Sequence, residues 1–133
     1  MRSEGKGRVE NNMKPKIIKM NDENEFQTPE RCWILETWNQ SEDEKVSISR
    51  ARVESGMKTQ LHSLDGATER YLIVQGVGMV SVGRDRPTEV GPGDVVIIPE
   101  GTPQRIENTG KDDLVFYCVC SPRFSPECYV NLE

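Results

Sequence analysis

A chain of 133 residues is long enough for one domain with a buried core and too short for two domains of ordinary size. Its net charge of −5, with basic residues interspersed among acidic ones, excludes an electropositive face able to hold a phosphate backbone. No apolar run approaches the length of a membrane span, and the first residues lack the apolar core of a secretory signal. We therefore expect a cytoplasmic protein with neither nucleic acid nor membrane as a partner.

The first thirteen residues are polar and contain glycine, which predicts a disordered tail over 1–13. Residues 14–133 are predicted to form a single domain, because short apolar or alternating runs follow one another with glycine, proline, asparagine and aspartate between them. The eight candidate strands read, in chain order, WILETW, VSISRARV, TQLHSL, ERYLIVQG, GMVSVG, DVVIIP, QRIENT and LVFYCVC. This rhythm is typical of an all-β sandwich or barrel with little helix, since Pro29 interrupts the nearest helical pattern.

Glycine and proline mark the reversals between these runs. Gly76 and Gly78 flank one reversal, Gly83 ends the next run, and two glycines surround Pro92 in VGPGD. These positions are predicted to be hairpin corners. In the sequence IPEGTPQ, two prolines stiffen a loop that ends at Gln104.

The cysteines Cys32, Cys118, Cys120 and Cys128 include no CxxC pair, and nothing in the chain indicates export, so reduced thiols are expected. Cys118 and Cys120 are two apart in a predicted strand and share one face, which favours buried packing. A role as thiolate ligands stays open if that face is the barrel interior.

Two segments carry residues at fixed spacing. The first begins at Gly56 and reads GMKTQLHSLDGATERYLIVQG, with His62 six residues on, Glu69 seven further and a glycine closing it after seven more. The second begins at Gly93 and reads GDVVIIPEGTPQRIEN. Together they resemble the two motifs of the cupin family, G-x5-H-x-H-x4-E-x6-G and G-x5-P-x-G-x2-H-x3-N, over roughly residues 46–120.

The resemblance implies a double-sheet jelly roll in which three histidines and a glutamate hold a divalent metal inside the barrel. His62 matches the first histidine and Glu69 the glutamate, whereas Leu64 and Gln104 stand at the positions of the other two histidines. The resemblance therefore leaves open one divalent transition metal (Mn, Fe, Ni or Zn) on His62, Glu69 and Gln104, or none. An amide oxygen binds these metals poorly compared with imidazole, and leucine brings no donor at all.

Strand geometry adds neighbours to this candidate site. Gln60 and Tyr71 have the inward parity of His62 and Glu69, so with Gln104 they are the candidate ligand-binding residues of a small interior cavity. His62 and Glu69 are the candidate catalytic pair, with the imidazole as a general base. A purely structural hydrogen-bonded triad of His62, Glu69 and Gln104 explains the same residues equally well.

Two further features lie outside the motifs. Arg50 and Arg52 share one face of a strand, and pairing with acids on the outer surface is favoured over an inward role. The last segment, SPRFSPECYVNLE, is predicted to run extended and to pack across the barrel or against a neighbouring subunit.

The sequence thus favours a cupin-like protein that binds a small polar organic ligand, and the similarity to small cupins implies a homodimer. The first alternative is an enzyme, either a metal-dependent oxygenase or a sugar isomerase or epimerase. The missing histidines count against the oxygenase, because that chemistry requires a firmly held redox metal. A non-catalytic structural or regulatory module is the second alternative.

Overall fold

The computed structural model of the protein describes residues 13–133, so the tail predicted over 1–13 falls, apart from Met13, outside the described residues. The strands are β1 (Phe26–Gln27), β2 (Trp33–Trp38), β3 (Ser47–Val53), β4 (His62–Leu64), β5 (Thr68–Gln75), β6 (Gly78–Val82), β7 (Thr88–Val90), β8 (Val95–Ile98), β9 (Gln104–Asn108), β10 (Leu114–Ser121) and β11 (Tyr129–Asn131). The helical elements in this part of the chain are the short 3₁₀ turns Asp22–Asn24 and Pro126–Cys128. None of the helical structure within 13–133 has the length and hydropathy of a membrane span.

The strands form two antiparallel sheets. The six-stranded sheet has the order β1-β2-β3-β10-β5-β8, and the five-stranded sheet has the order β11-β4-β9-β6-β7. From β3 to β6 the chain changes sheet at every step, and β10 inserts between β3 and β5. This arrangement confirms the predicted all-β jelly roll, and it places β4 and β5, the strands that carry His62 and Glu69, in different sheets.

Alternation along the strands determines what fills the space between the sheets. In β10, Leu114, Phe116, Cys118 and Cys120 are buried while the residues between them are more exposed. The largest fully buried apolar side chains are Ile73, Ile98, Ile106, Leu114 and Val53. Each contributes roughly 1.5–3 kcal/mol when removed from water.

Two motif residues hold corners of the barrel. Gly76 has φ +85°, and a Cβ there would lie 2.7 Å from the carbonyl oxygen of Asp113, so a larger residue would collide with the backbone. Asn108 is buried, and its Nδ2 donates to the carbonyl oxygens of Val53 and Asp112 at 2.8 Å each. Backbone packing and hydrogen bonding therefore explain why the two motifs have a glycine and an asparagine at these positions, without a ligand.

The observed strands follow the predicted ones with a few differences. The predicted strand over 59–64 contains only His62–Leu64, because the amide of Ile106 bonds to the hydroxyl of Thr59 at 3.0 Å where a regular ladder would use a carbonyl. Strands β1, β7 and β11 were not predicted. They are two or three residues long, too short to show an alternating pattern.

The outer face of β3 carries the predicted arginine pair. Arg52 donates to both carboxylate oxygens of Glu25, at 3.0 and 2.6 Å, and Arg50 donates to Glu25 at 3.3 Å and to Asp22 at 2.9 Å. The hydrogen bond from Arg52 is the main reason that the pKa of Glu25 lies below its usual value. Surface pairing is therefore confirmed, and the segment before β1 is fastened to the outside of the six-stranded sheet.

Candidate functional site

A cavity of about 170 Å³ lies between the two sheets. Its wall is mostly apolar, and the polar part consists of hydroxyls, thiols, carboxylates and one imidazole. The polar members of the wall are Thr28, Glu30, Cys32, Glu36, Ser49, Thr59, His62, Glu69, Tyr71, Cys118, Cys120 and Tyr129. A cavity of roughly 150 Å³ is known to accept a benzene molecule, so the space suits a ligand of about that size.

His62 begins β4 and is held by two contacts. Its Nδ1 lies 2.8 Å from the carbonyl oxygen of Gln60, and its ring stacks on the ring of Tyr129 with 4.7 Å between centroids and 14° between planes. A carbonyl only accepts, so Nδ1 carries a proton and the neutral ring keeps its lone pair on Nε2. The carboxylate of Glu30 adds a weaker contact, with an oxygen 3.8 Å from Nδ1.

Glu69 lies on β5 between β8 and β10, with Ile98 and Cys120 as its cross-strand neighbours. It is only 8% exposed, and its Oε1 is a buried atom with no hydrogen-bond partner among the described residues. Burial raises the pKa of Glu69, and the nearby His62 opposes that shift only in part. The site therefore contains a buried carboxyl group whose hydrogen-bonding capacity is incompletely used.

Tyr71 in the cavity wall and Gln104 behind it form a buried pair. The hydroxyl of Tyr71 donates to Oε1 of Gln104, and the Tyr71 ring packs on Phe116 at 4.4 Å between centroids. Burial, followed by the negative charge of Glu69, raises the pKa of Tyr71, so its hydroxyl stays protonated. The strand pairing sets Gln104 on β9 directly opposite His62.

The structure differs from the sequence prediction at Gln60 and Gln104. His62, Glu69 and Tyr71 are part of the cavity wall, as expected from strand parity, whereas Gln60 and Gln104 are outside the set of described residues that form it. The reason is that the two amides are already engaged by wall residues: Gln104 accepts from Tyr71, and Oε1 of Gln60 accepts from the hydroxyl of Tyr129 at 2.6 Å. They support the wall from behind.

Tyr129 and Glu30 belong to the site and were missed by sequence reasoning. Tyr129 comes from β11, which pairs with β4 so that Tyr129 faces Leu64 and Asn131 faces His62. The last segment was expected to pack across the barrel, and its aromatic residues were the only available signal. Glu30 lies in the loop before β2, where no pattern indicates an inward side chain.

A polar clasp holds β11 in place beyond Asn131. The carboxylate of Glu133 accepts from the backbone amide of Leu61 at 2.7 Å, from Arg105 at 2.9 Å and from Arg31 at 3.1 Å. These three donors, led by the Leu61 amide, lower the pKa of Glu133 to about 2. The clasp thus fixes the strand that carries Tyr129 over His62.

Three thiols line the cavity. All four cysteines are free, and Cys32, Cys118 and Cys120 are buried, as the packing interpretation predicted. Burial is the main cause that raises the pKa of each of these three thiols. They therefore stay protonated at neutral pH and act as soft packing groups, since the thiolate is the form that attacks or binds metal.

The donors present do not fit the metal implied by the family motifs. Within residues 13–133 no group of three or more histidine, cysteine, aspartate or glutamate side chains is arranged to hold a metal ion. One imidazole and one carboxylate remain from the four expected ligands, Leu64 offers no donor, and Oε1 of Gln104 is engaged by Tyr71. That set is too small and too neutral for a stable transition-metal site.

Comparison with known proteins agrees with the motifs. The family model described as Cupin domain matches residues 49–120, which is more than half of the chain, and the protein therefore belongs to the cupin family. It is 37% identical to Uncharacterized protein MJ1618 of Methanocaldococcus jannaschii over 89 residues, which cover 67% of this chain and 70% of that protein.

Solved structures share the fold. An uncharacterized conserved protein with a double-stranded β-helix domain from Klebsiella pneumoniae superposes with a TM-score of 0.73 at 15% identity, covering 90% of this chain and 99% of that one. A predicted oxalate decarboxylase from Thermotoga maritima superposes with a TM-score of 0.63 at 25% identity, covering 68% and 80% of the two chains. The double-stranded β-helix is thus the architecture of this chain.

Proposed function

We propose that this cupin binds a small polar organic ligand in the cavity between its sheets. The observation that carries the proposal is a 170 Å³ cavity whose wall includes Glu69, a buried carboxyl group with one oxygen unpartnered among the described residues. Buried polar atoms are paired in the great majority of cases, so a buried carboxyl group with an unused acceptor favours a site that a ligand completes. A module filled by its own side chains would leave no such space, because protein interiors are close-packed.

Each wall residue contributes a different contact to ligand binding. Nε2 of His62 accepts a hydrogen bond from the ligand, since Nδ1 is occupied by the carbonyl of Gln60. Glu69 offers its carboxyl group, and the Tyr129 ring, stacked on His62, shields the pair from water. Gln60 and Gln104 act as positioning residues through Tyr129 and Tyr71.

A second candidate function is a metal-free isomerase or epimerase. It is favoured by the presence of an imidazole and a carboxyl group in one cavity: Nε2 of His62 is the ring nitrogen not engaged by the carbonyl of Gln60, and burial raises the pKa of the Glu69 carboxyl, which suits it to supply a proton. Such an enzyme would exchange a carbon-bound proton of its ligand with solvent. Incubation of a bound ligand in D₂O, followed by mass spectrometry, separates catalysis from simple binding.

The test of ligand binding is a fragment screen by protein-observed NMR on the wild type and on His62→Ala. We expect fragment hits to shift the amide signals of β4, β5 and β10 in the wild type and to lose at least tenfold in affinity in His62→Ala. The circular dichroism spectrum of the variant should be unchanged. Fragments that bind His62→Ala as tightly as the wild type would refute the proposed site.

The proposal assigns no metal to the site, on the ground of donor chemistry. Elemental analysis of the untagged protein, incubated with manganese, iron, nickel or zinc and desalted, should give far less than one equivalent of each. One equivalent that disappears in Glu69→Ala would instead establish a metal held by His62, Glu69 and Gln104, and would direct the search to metal-assisted chemistry.

The homodimer also belongs to the proposal. Four apolar side chains are exposed on the outer face of β5 and of the edge strand β8, namely Leu72, Val74, Val95 and Ile97. An exposed apolar stripe along an unpaired strand edge is what a second copy of the chain can cover.

A further inference from the structure

The cavity is strongly biased in charge. Its wall includes the carboxylates of Glu30, Glu36 and Glu69, and among the described residues that form it there is no lysine or arginine. His62 is the wall's single basic group. An anion placed here would meet three acidic side chains, with His62 as the basic group in the wall, which in a partly dry cavity costs far more than in water.

The carboxylates are available to different degrees. Glu36 is exposed and Glu30 is half-buried, with one oxygen already accepting from the thiol of Cys32 at 3.4 Å. Glu69 belongs to the cavity wall, is more than nine-tenths buried, and has one oxygen without a partner among the described residues. The incompletely satisfied acceptor is therefore the deepest of the three, where a charge-assisted hydrogen bond gains most.

The rest of the wall is uncharged, and much of it is aromatic or apolar. The rings of Phe26, Phe116, Phe124 and Tyr129 border the space. Aromatic faces attract cations as well as hydrocarbon, and several rings around one carboxylate form a recognised environment for ammonium-type groups. The volume of about 170 Å³ limits the guest to a small skeleton.

We infer that the ligand of this cupin is a small organic cation, an ammonium, amidinium or guanidinium group on a compact apolar skeleton, with the cationic group bound by Glu69. The inference rests on the proposed function, since it names the ligand class for the same cavity. It also separates this chain from a carboxylate-binding protein, because an acid such as oxalate would face Glu30, Glu36 and Glu69 with His62 alone as a basic partner in the wall.

The test uses ligands of equal shape and different charge. Benzamidine, benzamide and benzoate share one planar skeleton and are cationic, neutral and anionic at pH 7.5; propylamine, propanol and propionate form a smaller series. Affinities are measured by NMR titration of the full chain. We expect each cation to bind at least tenfold tighter than its neutral analogue, with the largest shifts in β4 and β5, and each anion to bind weakest.

Two isosteric variants locate the effect. Glu69→Gln keeps the shape of the wall and removes its buried charge, so the preference for the cation should fall to about twofold or less. Glu89→Gln removes the same charge from an exposed position on β7 and should keep the full preference. Retention of the full preference in Glu69→Gln would overturn the inference, because the cation would then be held elsewhere.

The outcomes distinguish the two proposals. A neutral or anionic member that binds in the cavity as tightly as its cationic analogue would overturn the inference and leave ligand binding intact. No binding by any member of either series to the folded wild type would overturn the proposed function together with the inference.

Discussion

Replacing Glu69 by glutamine should stabilise the fold while weakening ligand binding. The side chain is 8% exposed, and its Oε1 has no partner in the described part of the chain. Folding therefore removes the carboxyl group from water without replacing all of the hydrogen bonds that water made to it. Glutamine has the same shape and carries no charge. A residue retained for function at the expense of stability is the expected pattern at a binding site.

The size of the effect follows from the penalty for an unsatisfied buried polar group, about 1–3 kcal/mol and more when the group is charged. For a domain of this length, 1 kcal/mol corresponds to about 4 °C in the midpoint of thermal unfolding. We therefore expect Glu69→Gln to raise the free energy of unfolding at pH 7 by about 1–3 kcal/mol and the midpoint by about 4–12 °C.

The pH dependence of stability shows separately whether Glu69→Gln should stabilise or destabilise the fold. Because burial raises the pKa of Glu69 in the folded state, the folded protein binds more protons than the unfolded chain between the usual carboxyl pKa of 4.5 and the raised pKa. Wild-type stability should fall as pH rises through this window. The advantage of Glu69→Gln should thus be largest at neutral pH and should vanish below about pH 4.

Urea unfolding followed by fluorescence at pH 4, 5.5 and 7 measures these differences. Glu89→Gln, at an exposed position, is the matched control and should stay within about 0.5 kcal/mol of the wild type at each pH. A loss of 1 kcal/mol or more in Glu69→Gln at pH 7 would refute the reasoning. It would show that the carboxylate is a satisfied structural member of a triad with His62 and Gln104.

Two further predictions concern the clasp and the dimer. The pKa of Glu133 lies near 2, so its bonds to Leu61, Arg31 and Arg105 should persist above pH 4.5 and be lost as pH falls toward 2. Amide hydrogen exchange in β11 should accelerate over that range in the wild type and be fast throughout in Glu133→Gln; equal protection in both proteins at pH 6 would contradict the clasp. Ile97→Glu places a charge in the exposed apolar stripe, and sedimentation velocity should show a dimer for the wild type and a monomer for this variant; a monomeric wild type would exclude the dimer.

Much of the fold could be predicted because its signals are local. The run WILETW corresponds residue for residue to β2, and the alternation in LVFYCVC correctly indicated that Cys118 and Cys120 share a buried face. Strands of this length show their period directly in the sequence. The glycines at the corners were equally readable, since Gly76 and Gly93 have the positive φ angles that other residues rarely adopt.

The site was only partly predictable because its wall is assembled from distant segments. His62, Glu69 and Tyr71 follow from spacing and parity on two neighbouring runs. Tyr129 reaches the site because β11 pairs with β4, and Glu30 reaches it from a loop. Neither arrangement produces a periodic pattern in the sequence. The position of Gln60 and Gln104 behind the cavity wall could not be predicted either. The alternation along a strand shows which face of the sheet a residue occupies, but it does not show which hydrogen bonds the side chain makes.

Leu64 shows that the residue at one position of this fold can serve apolar packing in place of metal binding. It occupies a position where the family pattern has a metal ligand, and in this chain it is buried with Ala67 and Cys120 in an apolar cluster on which Phe124 and Tyr129 pack. A histidine at 64 would put an imidazole into the apolar cluster on which Phe124 and Tyr129 pack. It would thereby weaken the packing of the strand that brings Tyr129 to the cavity. Coordination and docking are thus mutually exclusive uses of this position. Replacing Leu64 by histidine alone would therefore disturb the packing that holds Tyr129 over His62, and Gln104 would still stand at the position of the remaining histidine.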